Sequence, residues 1–535
     1  MRVFKEGHKK LLEVLSEGAN AIFIAPTSYG KSKAVPIIQD ELKMPRSVHA
    51  MPLRSLVQQQ LSYLKENFGS ACHASGLTLE GKCPYMGGKR VVATIDYLSL
   101  VLMRLPPPEL GFILSVKYNH YGHHEYPRAN VFTSLIVMDE AHLMGEPWSE
   151  KPSQGRDFLY AVSDVAKEFE LKTIITTATL PKNEVKELSK TLSAKIVAVC
   201  EKCYEGLNNV IRVKPEGVIN PKWKTEVNET SLEDYVSKNF KEIEQFPGKV
   251  LIVANTVPKA ISIWKTLKEK GLEPVIVHGR LSDEDKKEAL EKIEKAKVVV
   301  STQVIEAGVD VNADWLITES APISSLAQRA GRLCREEGCS EAKVTVLPGE
   351  KPYGKIAIET FQAINELKEK GIEWRLLDDT ESGVSFFKLV DELEAKVKGH
   401  KVKSTYAYAM TVPLPDVKGI SEFLVDSCSF VRDSALIGVK VEDQVLELSL
   451  DWIKYNLKNI KVKDIVISSF GEETSLRERG ELDNEVKKLE NTKGKGLCRW
   501  YGNLLKKYGG ASVTILLENA YFRGLGLDVD LKKGM

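Results

Sequence analysis

Two adjacent carboxylates follow an apolar run, where they could take part in phosphoryl transfer. The run begins at Leu135 and ends in the sequence VMDEAH, which places Asp139 beside Glu140. A buried parallel strand delivers side chains in this way to the ligand-binding edge of an open α/β sheet. There, Asp139 would hold Mg²⁺ and Glu140 would orient or deprotonate the attacking water. An ordinary solvated strand end has the same appearance, so this interpretation needs a phosphate-binding loop elsewhere in the chain.

Such a loop follows the apolar segment 21–24. Residues 25–32 read APTSYGKS and lead into a segment that can form a helix. In a strand-loop-helix unit, backbone N–H groups cradle phosphates, a lysine supplies charge and a hydroxyl completes the Mg²⁺ shell. Ala25 replaces the usual first glycine, and Tyr29 must point away from the phosphates. The sequence therefore predicts Mg²⁺ ligation by Ser32 and Asp139, and ATP binding by Thr27, Ser28, Tyr29, Gly30, Lys31 and Ser32.

A basic segment near residue 330 could complete the nucleotide site. The sequence QRAGRLCR begins at Gln328, and we predict that it is helical. Arg332 and Arg335 are three residues apart, so they would share one helix face and reach the γ-phosphate together. Gly331 lowers helix stability, which suggests a close approach by another group; a solvated basic face is the alternative. Upstream, segment 301–310 ends a strand with polar groups, and Gly308 and Asp310 are assigned to the nucleotide.

The elements that must position these residues alternate between strands and helices. Helices are predicted at 4–17 and 53–68, with strands at 47–51, 90–93, 135–138 and 173–176. The pattern loosens over about 200–246, where a helix is predicted at 232–243. It restarts with strands at 249–254, 274–277, 298–301 and 315–319 and helices at 258–270 and 283–294. Right-handed crossovers put the carboxyl ends of parallel strands on one edge of a sheet. The fold class is therefore α/β, with two parallel-sheet lobes.

Bulk properties limit the classes of function. The chain has 535 residues and a formal net charge of +1, so a nucleic-acid surface must be a local stripe. The 8 cysteines are sparse and irregularly spaced, and reduced thiols are expected. A zinc site formed by Cys72, Cys83, Cys200 and Cys203 is a less favoured alternative. No signal peptide and no apolar run of about 18 residues is visible, which predicts a cytoplasmic protein that does not cross a membrane.

Two further segments leave alternatives open. His120, His123 and His124 lie within a few residues of each other, where they either bind a metal or form an ordinary polar loop. Residues 396–403 alternate lysine with other residues, which would either track phosphates or protect a sheet edge. Beyond about residue 375 the α/β rhythm is lost, and a helix is predicted over 386–397. The final stretch mixes cations with aromatic residues such as Trp452 and Trp500.

The ordered motifs resemble those of superfamily 2 helicases, which have two RecA-like lobes. The resemblance covers about residues 1–350. Its motifs are, in chain order, APTSYGKS at 25–32, PLRSL at 52–56, ATIDYL at 93–98, DEAH at 139–142, TATLP at 177–181, NT at 255–256, HGR at 278–280, STQVIEAGVD at 301–310 and QRAGRLCR at 328–335. Within the superfamily, the chain is most similar to the CRISPR-associated helicase of type I interference.

This resemblance implies roles for further residues. It implies that Lys31, Asp139, Glu140, Gln328, Arg332 and Arg335 are catalytic, with ATP and Mg²⁺ as cofactors. It implies coupling by His142, Thr177 and Thr179, and nucleic-acid contacts by Arg54, Thr94, Asn255, Arg280, Thr302 and Gln303. Relatives read adenine through a glutamine, for which the nearest candidate here is His8.

The resemblance also implies the domain order and the partners. We expect a RecA-like lobe at 1–205, a connecting segment at 206–245, a second lobe at 246–375 and a C-terminal accessory domain at 376–535. The implied function is 3′-to-5′ translocation on single-stranded DNA with a crRNA-guided surveillance complex. Because no His-Asp dipeptide is present, the cutting step is assigned to a separate histidine–aspartate nuclease subunit, as in the split archaeal form. An RNA helicase, another superfamily 2 motor or a nucleotide-gated scaffold remain the alternatives.

Overall fold

The structure is a computed structural model. It describes residues 4–75, 82–114, 123–145, 153–394, 404–411, 417–432, 436–469, 472–494, 496–510, 512–518 and 521–527. His120 and the lysine-rich segment 396–403 lie outside the described residues.

Within these residues, the first lobe is an eight-stranded parallel sheet in the order β3-β4-β2-β5-β6-β1-β7-β8. Its strands are β1 (Asn20–Ile24), β2 (Ser47–Met51), β3 (Cys72–Ala74), β4 (Arg90–Thr94), β5 (Leu135–Met138), β6 (Thr173–Thr177), β7 (Ala194–Val199) and β8 (Val210–Val213). Its helices are α1 (Glu6–Ser16), α2 (Lys31–Glu41), α3 (Arg54–Phe68), α4 (Ile95–Leu102), α5 (Leu110–Leu114), α6 (Glu125–Phe132), α7 (Gln154–Glu168) and α8 (Lys182–Leu192). Short 3-10 helices span Pro107–Glu109 and Ala141–Leu143.

The two strands that carry the predicted nucleotide residues lie near the middle of this sheet. β1 pairs with β6 and β7, while β5 pairs with β2 and β6. Both strands are made of apolar residues buried on both faces, as covered parallel sheets require. Since their carboxyl ends lie on the same edge, the phosphate loop and the Asp139–Glu140 pair emerge side by side.

The second lobe is a six-stranded parallel sheet in the order β11-β12-β10-β13-β14-β9, as far as the described residues show. Its strands are β9 (Lys222–Val227), β10 (Val250–Val253), β11 (Val275–Val277), β12 (Val298–Ser301), β13 (Trp315–Glu319) and β14 (Glu341–Leu347). Its helices are α9 (Leu232–Lys238), α10 (Phe240–Gln245), α11 (Val257–Glu269), α12 (Asp283–Ile293) and α13 (Ile323–Ala330), and a 3-10 helix spans Gln303–Ile305. The prediction of an α/β protein with two RecA-like lobes is confirmed.

The connection between the lobes is shorter than the predicted segment 206–245. β8 pairs with β7 and therefore belongs to the first sheet, while β9 pairs with β14 and belongs to the second. The chain passes between the lobes in the residues from Val213 to Lys222. The prediction was wrong because β8 and β9 are edge strands of mixed polarity, which lack the apolar run of a central strand.

The C-terminal region adds a mixed five-stranded sheet in the order β18-β17-β21-β19-β20 within the described residues. The helices and strands of this region are, in chain order, α14 (Lys355–Leu367), β15 (Ile372–Glu373), β16 (Val384–Ser385), α15 (Phe386–Leu393), α16 (Ser404–Thr411), α17 (Val417–Ser427), β17 (Leu436–Val441), β18 (Gln444–Ser449), α18 (Leu450–Asn456), β19 (Lys461–Ser469), β20 (Glu472–Ser475), α19 (Leu482–Asn491), α20 (Gly496–Tyr508), β21 (Ser512–Glu518), β22 (Tyr521–Phe522) and β23 (Gly526–Leu527). We call residues 404–527 the C-terminal unit. It contacts both lobes.

The cysteines form disulfides, so the expectation of reduced thiols is wrong for this structure. The pairs are Cys72–Cys83, Cys200–Cys203, Cys334–Cys339 and Cys428–Cys498. The irregular spacing in the sequence concealed these contacts because the fold brings the partners together, in one case across 70 residues. The zinc site considered for the first four cysteines is also contradicted, since they form two separate pairs. None of the helices described is both long and apolar enough to cross a membrane.

Candidate active site

The phosphate loop has the backbone shape that its unusual sequence requires. Ser28 and Gly30 both adopt left-handed conformations, with φ values of 66° and 97°. The Tyr29 side chain points into the core of the first lobe, where its hydroxyl accepts a hydrogen bond from the Gly7 N–H at 3.0 Å. This leaves the loop's concave side clear of the aromatic ring. Lys31 Nζ donates to the Ala25 carbonyl at 3.1 Å, so its charge lies beneath the loop.

Asp139 is held by groups from three elements around it. Ser32 Oγ donates to Asp139 Oδ2 at 2.5 Å, and His49 Nε2 donates to the same oxygen at 2.8 Å. Thr176 Oγ1 donates to the other carboxylate oxygen. Burial alone would raise the pKa of Asp139, but the hydrogen bonds from His49, Ser32 and Thr176 hold it well below its usual range. The carboxylate is therefore ionised and fixed in orientation, as a Mg²⁺ site requires.

His49 and Thr176 were not among the predicted site residues. They lie on β2 and β6, the strands on either side of β5. The available signal was a polar residue inside an otherwise apolar strand, as in SVHAM for β2. Such a residue usually needs a buried partner. Here the partner is the carboxylate at the end of the next strand.

Glu140 lies between the phosphate loop and the predicted coupling residues. Its Oε1 is 3.9 Å from Lys31 Nζ, and its Oε2 is 3.5 Å from His142 Nδ1. Burial raises the pKa of Glu140, although Lys31 acts in the opposite direction. A carboxylate with a raised pKa is a better proton acceptor at neutral pH. The position and environment of Glu140 fit the base role that the sequence suggested.

His142 connects Glu140 to Thr177 at the end of β6 and to Thr179 in the loop that follows. Its Nδ1 is 3.4 Å from Thr177 Oγ1, which in turn accepts a hydrogen bond from the Thr179 N–H at 3.2 Å. Burial lowers the pKa of His142 to about 3, so the imidazole is neutral. The structure thus brings the three predicted coupling residues into one continuous contact.

The segment around Arg332 and Arg335 is not a helix, which corrects the prediction. α13 ends at Ala330, and the two arginines follow it in an irregular segment. Residue 331 must be a glycine, because a Cβ there would lie 2.6 Å from Thr27 Oγ1 in the phosphate loop. Arg335 Nε donates to Ser28 Oγ at 3.0 Å, so the second lobe directly contacts the first. The two arginines face the cleft because the lobes lie close together here. They do not share a helix face.

Arg329, in the same motif, has a structural role that the sequence did not reveal. It is fully buried and donates from Nε to Glu306 Oε1 at 2.8 Å, from Nη1 to Thr318 Oγ1 at 2.8 Å and from Nη2 to Asn255 Oδ1 at 3.0 Å. Every face of its guanidinium is therefore occupied within the second lobe. Of the three arginines in this short motif, Arg329 stabilises the second lobe, whereas Arg332 and Arg335 face the cleft.

The two lobes carry, near the cleft, buried polar atoms that lack a hydrogen-bond partner among the described residues. They are Thr27 Oγ1 and Glu140 Oε2 on the first lobe, and Gln328 Nε2 and Arg332 Nε on the second. Buried polar atoms are normally hydrogen-bonded, so an unpaired set on facing surfaces indicates a ligand between them. The Gln328 and Arg332 donors suit phosphate oxygens, and the Glu140 oxygen suits the proton of a water molecule. Of the other predicted nucleotide residues, Asp310 pairs with Arg335, and Gly308 packs against Ser55.

His8 lies beside the phosphate loop, where the sequence suggested a base-reading residue. Its ring centroid is 5.0 Å from that of Tyr29 and 5.7 Å from that of Phe23. Burial lowers the pKa of His8 to about 4, with a smaller contribution from Lys5, so the ring is neutral. Its Nε2 has no hydrogen-bond partner among the described residues. The location is compatible with a base contact but does not identify the base.

The predicted nucleic-acid residues are already engaged within the protein. Arg54 pairs with Glu447, and Arg280 lies over the Trp452 ring at 4.9 Å. The other contacts are the cap of α4 by Thr94, the bond that Asn255 Oδ1 accepts from Arg329, the bond from Gln303 Nε2 to the Asn255 carbonyl, and the burial of Thr302. The structure therefore does not bring these side chains together on one open surface.

The histidine segment gives no support to a metal site. Of its described members, His123 is exposed, while His124 is buried beside Glu125. Among the residues described, a metal-like grouping of ligand atoms occurs at Asp314, Cys334 and Cys339. Its two sulfur atoms form a disulfide. The ordinary polar loop remains the better interpretation of His123 and His124.

Comparisons with known proteins agree with this architecture. Residues 5–188 match the family model described as DEAD/DEAH box helicase, and residues 247–338 match the model of the C-terminal part of the CRISPR-associated nuclease/helicase Cas3. A putative CRISPR-associated nuclease/helicase Cas3 from Methanocaldococcus jannaschii is 28% identical over 280 residues, covering 48% of this chain and 35% of the relative. The CRISPR-associated helicase Cas3 of Thermoproteus tenax is 26% identical over 374 residues, covering 64% of this chain and 59% of the relative.

Solved structures show the same fold. The crystal structure of T. fusca Cas3-ADP has a TM-score of 0.56 and 14% identity, covering 82% of this chain and 59% of that one. A chain from a CRISPR RNA-guided surveillance complex in a pre-nicking state has a TM-score of 0.52 and 15% identity, covering 82% and 58%. The chain therefore spans between about a third and three fifths of the relatives that it matches. The first lobe carries the DEAD/DEAH box helicase domain, and the chain is similar to superfamily 2 helicases of the CRISPR-associated Cas3 type.

Proposed function

We propose that this chain hydrolyses ATP with Mg²⁺ and uses the energy to move 3′ to 5′ along single-stranded DNA in CRISPR type I interference. The observation that carries the proposal is the set of unpaired buried polar atoms on the two facing lobes. A site closed by both lobes can couple the state of a nucleotide to the distance between them. The direction of movement and the preference for DNA follow from the family resemblance.

Each lobe would contribute a different part of the reaction. In the first lobe, Lys31 and the loop N–H groups bind phosphates, while Glu140 orients the attacking water and accepts its proton. Mg²⁺, held by Ser32 and Asp139, would neutralise charge that develops on the phosphoryl oxygens. In the second lobe, Arg332 and Arg335 would stabilise the same charge once the lobes meet. Arg335 already contacts Ser28 across this gap.

The coupling residues offer a route from the nucleotide cleft towards the bound nucleic-acid strand. Glu140, His142 and Thr177 form a continuous contact that begins at the catalytic carboxylate. A change in the charge of Glu140 therefore acts on the loop after β6. We assign to this path the link between hydrolysis and strand movement.

The partners of the chain are part of the same proposal. Relatives named as CRISPR-associated helicases, together with the fold shared with a chain of an RNA-guided surveillance complex, support recruitment by such a complex. We assign strand cutting to a separate histidine–aspartate nuclease subunit, by resemblance to the split archaeal form. The predicted cytoplasmic location belongs to the proposal as well.

The proposal is tested by ATP turnover with single-stranded DNA, single-stranded RNA of the same sequence, and neither. We expect strong stimulation by DNA and weaker stimulation by RNA. Displacement of streptavidin from a biotin at one end of the DNA then reports the direction, and release from the 5′ end is expected for 3′-to-5′ movement. Preferential stimulation by RNA would favour the RNA-helicase alternative. Nucleotide binding without turnover would favour the scaffold.

A further inference from the structure

A half-buried ion pair joins the first lobe to the C-terminal unit. Arg54 is the first residue of α3, and its Nη2 pairs with Glu447 Oε1 on β18. The two side chains are 29% and 20% exposed. Arg54 Nη1 has no hydrogen-bond partner among the described residues. Arg54 therefore retains donor capacity that one carboxylate does not satisfy, although a guanidinium can bind two acceptor oxygens at once.

The pair lies within a larger group of charged side chains. Burial raises the pKa of Glu447, as do the charges of Asp96 and Asp283, whereas the charges of Arg54 and Arg432 lower it. Burial lowers the pKa of Lys286 on α12, and the charges of Asp283, Glu447 and Arg54 act on the same ammonium group. Cations from the first lobe, the second lobe and the C-terminal unit therefore converge on Glu447. We call Arg54, Lys286, Arg432 and Glu447 the junction cluster.

Arg432 fixes the junction cluster to the side of the first lobe that carries the motifs at 52–56 and 93–98. Its Nε and Nη2 donate to the two carboxylate oxygens of Asp96 at 2.7 and 2.8 Å, and Nη2 also donates to the Pro52 carbonyl at 2.9 Å. Pro52 precedes Arg54 in the motif at 52–56, and Asp96 belongs to the motif at 93–98. The C-terminal unit thus covers two motifs that in the resembled superfamily face the nucleic acid.

Aromatic side chains lie immediately beyond the cluster along the chain. β18 ends at Ser449 and α18 follows, with Trp452 under the Arg280 guanidinium at 4.9 Å. Tyr455 is three residues further along the helix and is 85% exposed. Residues three apart lie on one helix face, so the two rings border a common surface. Cations beside exposed aromatic rings are the combination that single-stranded nucleic acids bind, through phosphates and base stacking.

We propose that, when a single-stranded nucleic acid binds at this junction, one of its phosphates replaces the Glu447 carboxylate on Arg54. The inference rests on the proposed function and adds the residue that competes with the strand. A phosphate offers the same charge-assisted contact as a carboxylate and can also use the donor that Glu447 leaves unpaired. The strand backbone brings further phosphates within reach of Lys286 and Arg432. Trp452 and Tyr455 would stack against its bases.

In this arrangement the protein's own Glu447 occupies the strand site on Arg54 until a strand binds. The strand must displace Glu447 before it binds Arg54, so the measured affinity is lower than that of the exposed cations alone. A purely structural ion pair would behave differently, because its loss would loosen the C-terminal unit and weaken the site. The two possibilities therefore predict changes of opposite sign when the Glu447 charge is removed.

The test is the affinity of a labelled oligo-dT strand for the full chain, measured by fluorescence anisotropy at two salt concentrations. Glu447→Gln keeps the shape of the side chain and should tighten binding about tenfold. Glu442→Gln removes the same charge from an exposed position in the same β17–β18 hairpin, and it should change the affinity less than about twofold. Equal effects of the two variants, or weaker binding by Glu447→Gln, would overturn the proposal.

A second variant separates competition from general electrostatics. Arg54→Gln should weaken binding, and in the Arg54→Gln/Glu447→Gln double variant the tenfold gain should disappear, because the displaced group no longer has a partner. An undiminished gain in the double variant would contradict the proposal. If Glu447→Gln does not fold, hydrogen exchange of residues 444–456 in the wild type decides, since strand binding must change it; unchanged exchange with bound strand overturns the proposal.

The same experiment distinguishes this inference from the proposed function. If the wild type neither binds oligo-dT nor is stimulated by it, the strand-translocase function fails and the inference fails with it. If the wild type binds the strand and its ATP turnover rises, but Glu447→Gln behaves like Glu442→Gln, the inference alone fails.

Discussion

Polar side chains in the nucleotide cleft differ from those on the strand side, the surface at the junction cluster where we propose that nucleic acid binds. The difference is whether they have partners inside the protein. In the cleft, Thr27, Glu140, Gln328 and Arg332 each keep a buried polar atom without a partner among the described residues. On the strand side, Arg54 is bonded to Glu447. The cleft atoms therefore keep hydrogen-bonding capacity for a ligand, whereas Arg54 is engaged by an internal contact, which we propose that a strand displaces.

This difference also exists within a single motif. Arg329 makes its hydrogen bonds inside the second lobe and is fully buried, while Arg335 crosses to Ser28 in the first lobe. The two arginines are separated by six positions and have the same chemistry. Their surroundings differ, so that Arg329 bonds within its own lobe, whereas Arg335 faces the first lobe, where we propose that it serves the reaction. The variants below test that division, beginning with the largest expected effect.

Arg335→Ala should reduce strand-stimulated ATP turnover about 10³-fold, because an arginine that stabilises the transferring phosphoryl group commonly contributes this much. Nucleotide affinity, measured with a fluorescent ATP analogue in the absence of strand, should change little, since the first lobe supplies most phosphate contacts. Arg335→Lys keeps the charge but loses the planar fork, and it should recover part of the rate. A matching loss of nucleotide affinity would remove the distinction between the lobes.

Arg329→Ala should destabilise the protein by about 3–5 kcal/mol, because it leaves Glu306 buried without its partner. Burial raises the pKa of Glu306, and Arg329 is the main group acting against this shift. Denaturant unfolding followed by circular dichroism measures the change. Arg335→Ala serves as the control and should alter stability by less than about 0.5 kcal/mol. Equal stability of the two variants would show that we have misassigned Arg329.

His49→Gln should raise the Mg²⁺ concentration needed for half-maximal nucleotide binding about tenfold, because groups that orient a metal ligand tune its affinity by this order. Mg²⁺ titration of fluorescent ATP analogue binding gives the value without relying on turnover. His73→Gln is a suitable control, since His73 is a buried histidine on β3 of the same sheet that bonds Ser75. The same Mg²⁺ dependence in both variants would exclude an orienting role for His49.

The sequence predicted the elements whose apolar pattern is strong, and it missed those whose identity depends on neighbours. The central strands, such as 298–301, were predicted with the boundaries that the structure shows. The edge strands β8 and β9 were missed because half-exposed strands have no continuous apolar run. The mixed sheet of the C-terminal unit was missed for a related reason, since its antiparallel strands alternate buried with exposed residues.

The candidate site shows the same limit at the level of side chains. Lys31, Asp139 and Glu140 follow from local spacing, because a loop or strand end fixes their positions. The bond from His49 to Asp139 joins residues 90 positions apart, and only strand order brings them together. The need for a glycine at position 331 likewise depends on Thr27 in the other lobe. Contacts between distant segments therefore account for the part of the site that one sequence did not reveal.

The most direct measurement is single-turnover ATP hydrolysis by Glu140→Gln beside the wild type, with DNA present and nucleotide binding measured in parallel. Because the substitution keeps the shape of the side chain but removes the proton acceptor, binding should remain within about threefold, while hydrolysis should fall at least about 100-fold. Hydrolysis near the wild-type rate would contradict the assignment of Glu140 and, with it, the nucleotide cleft described here.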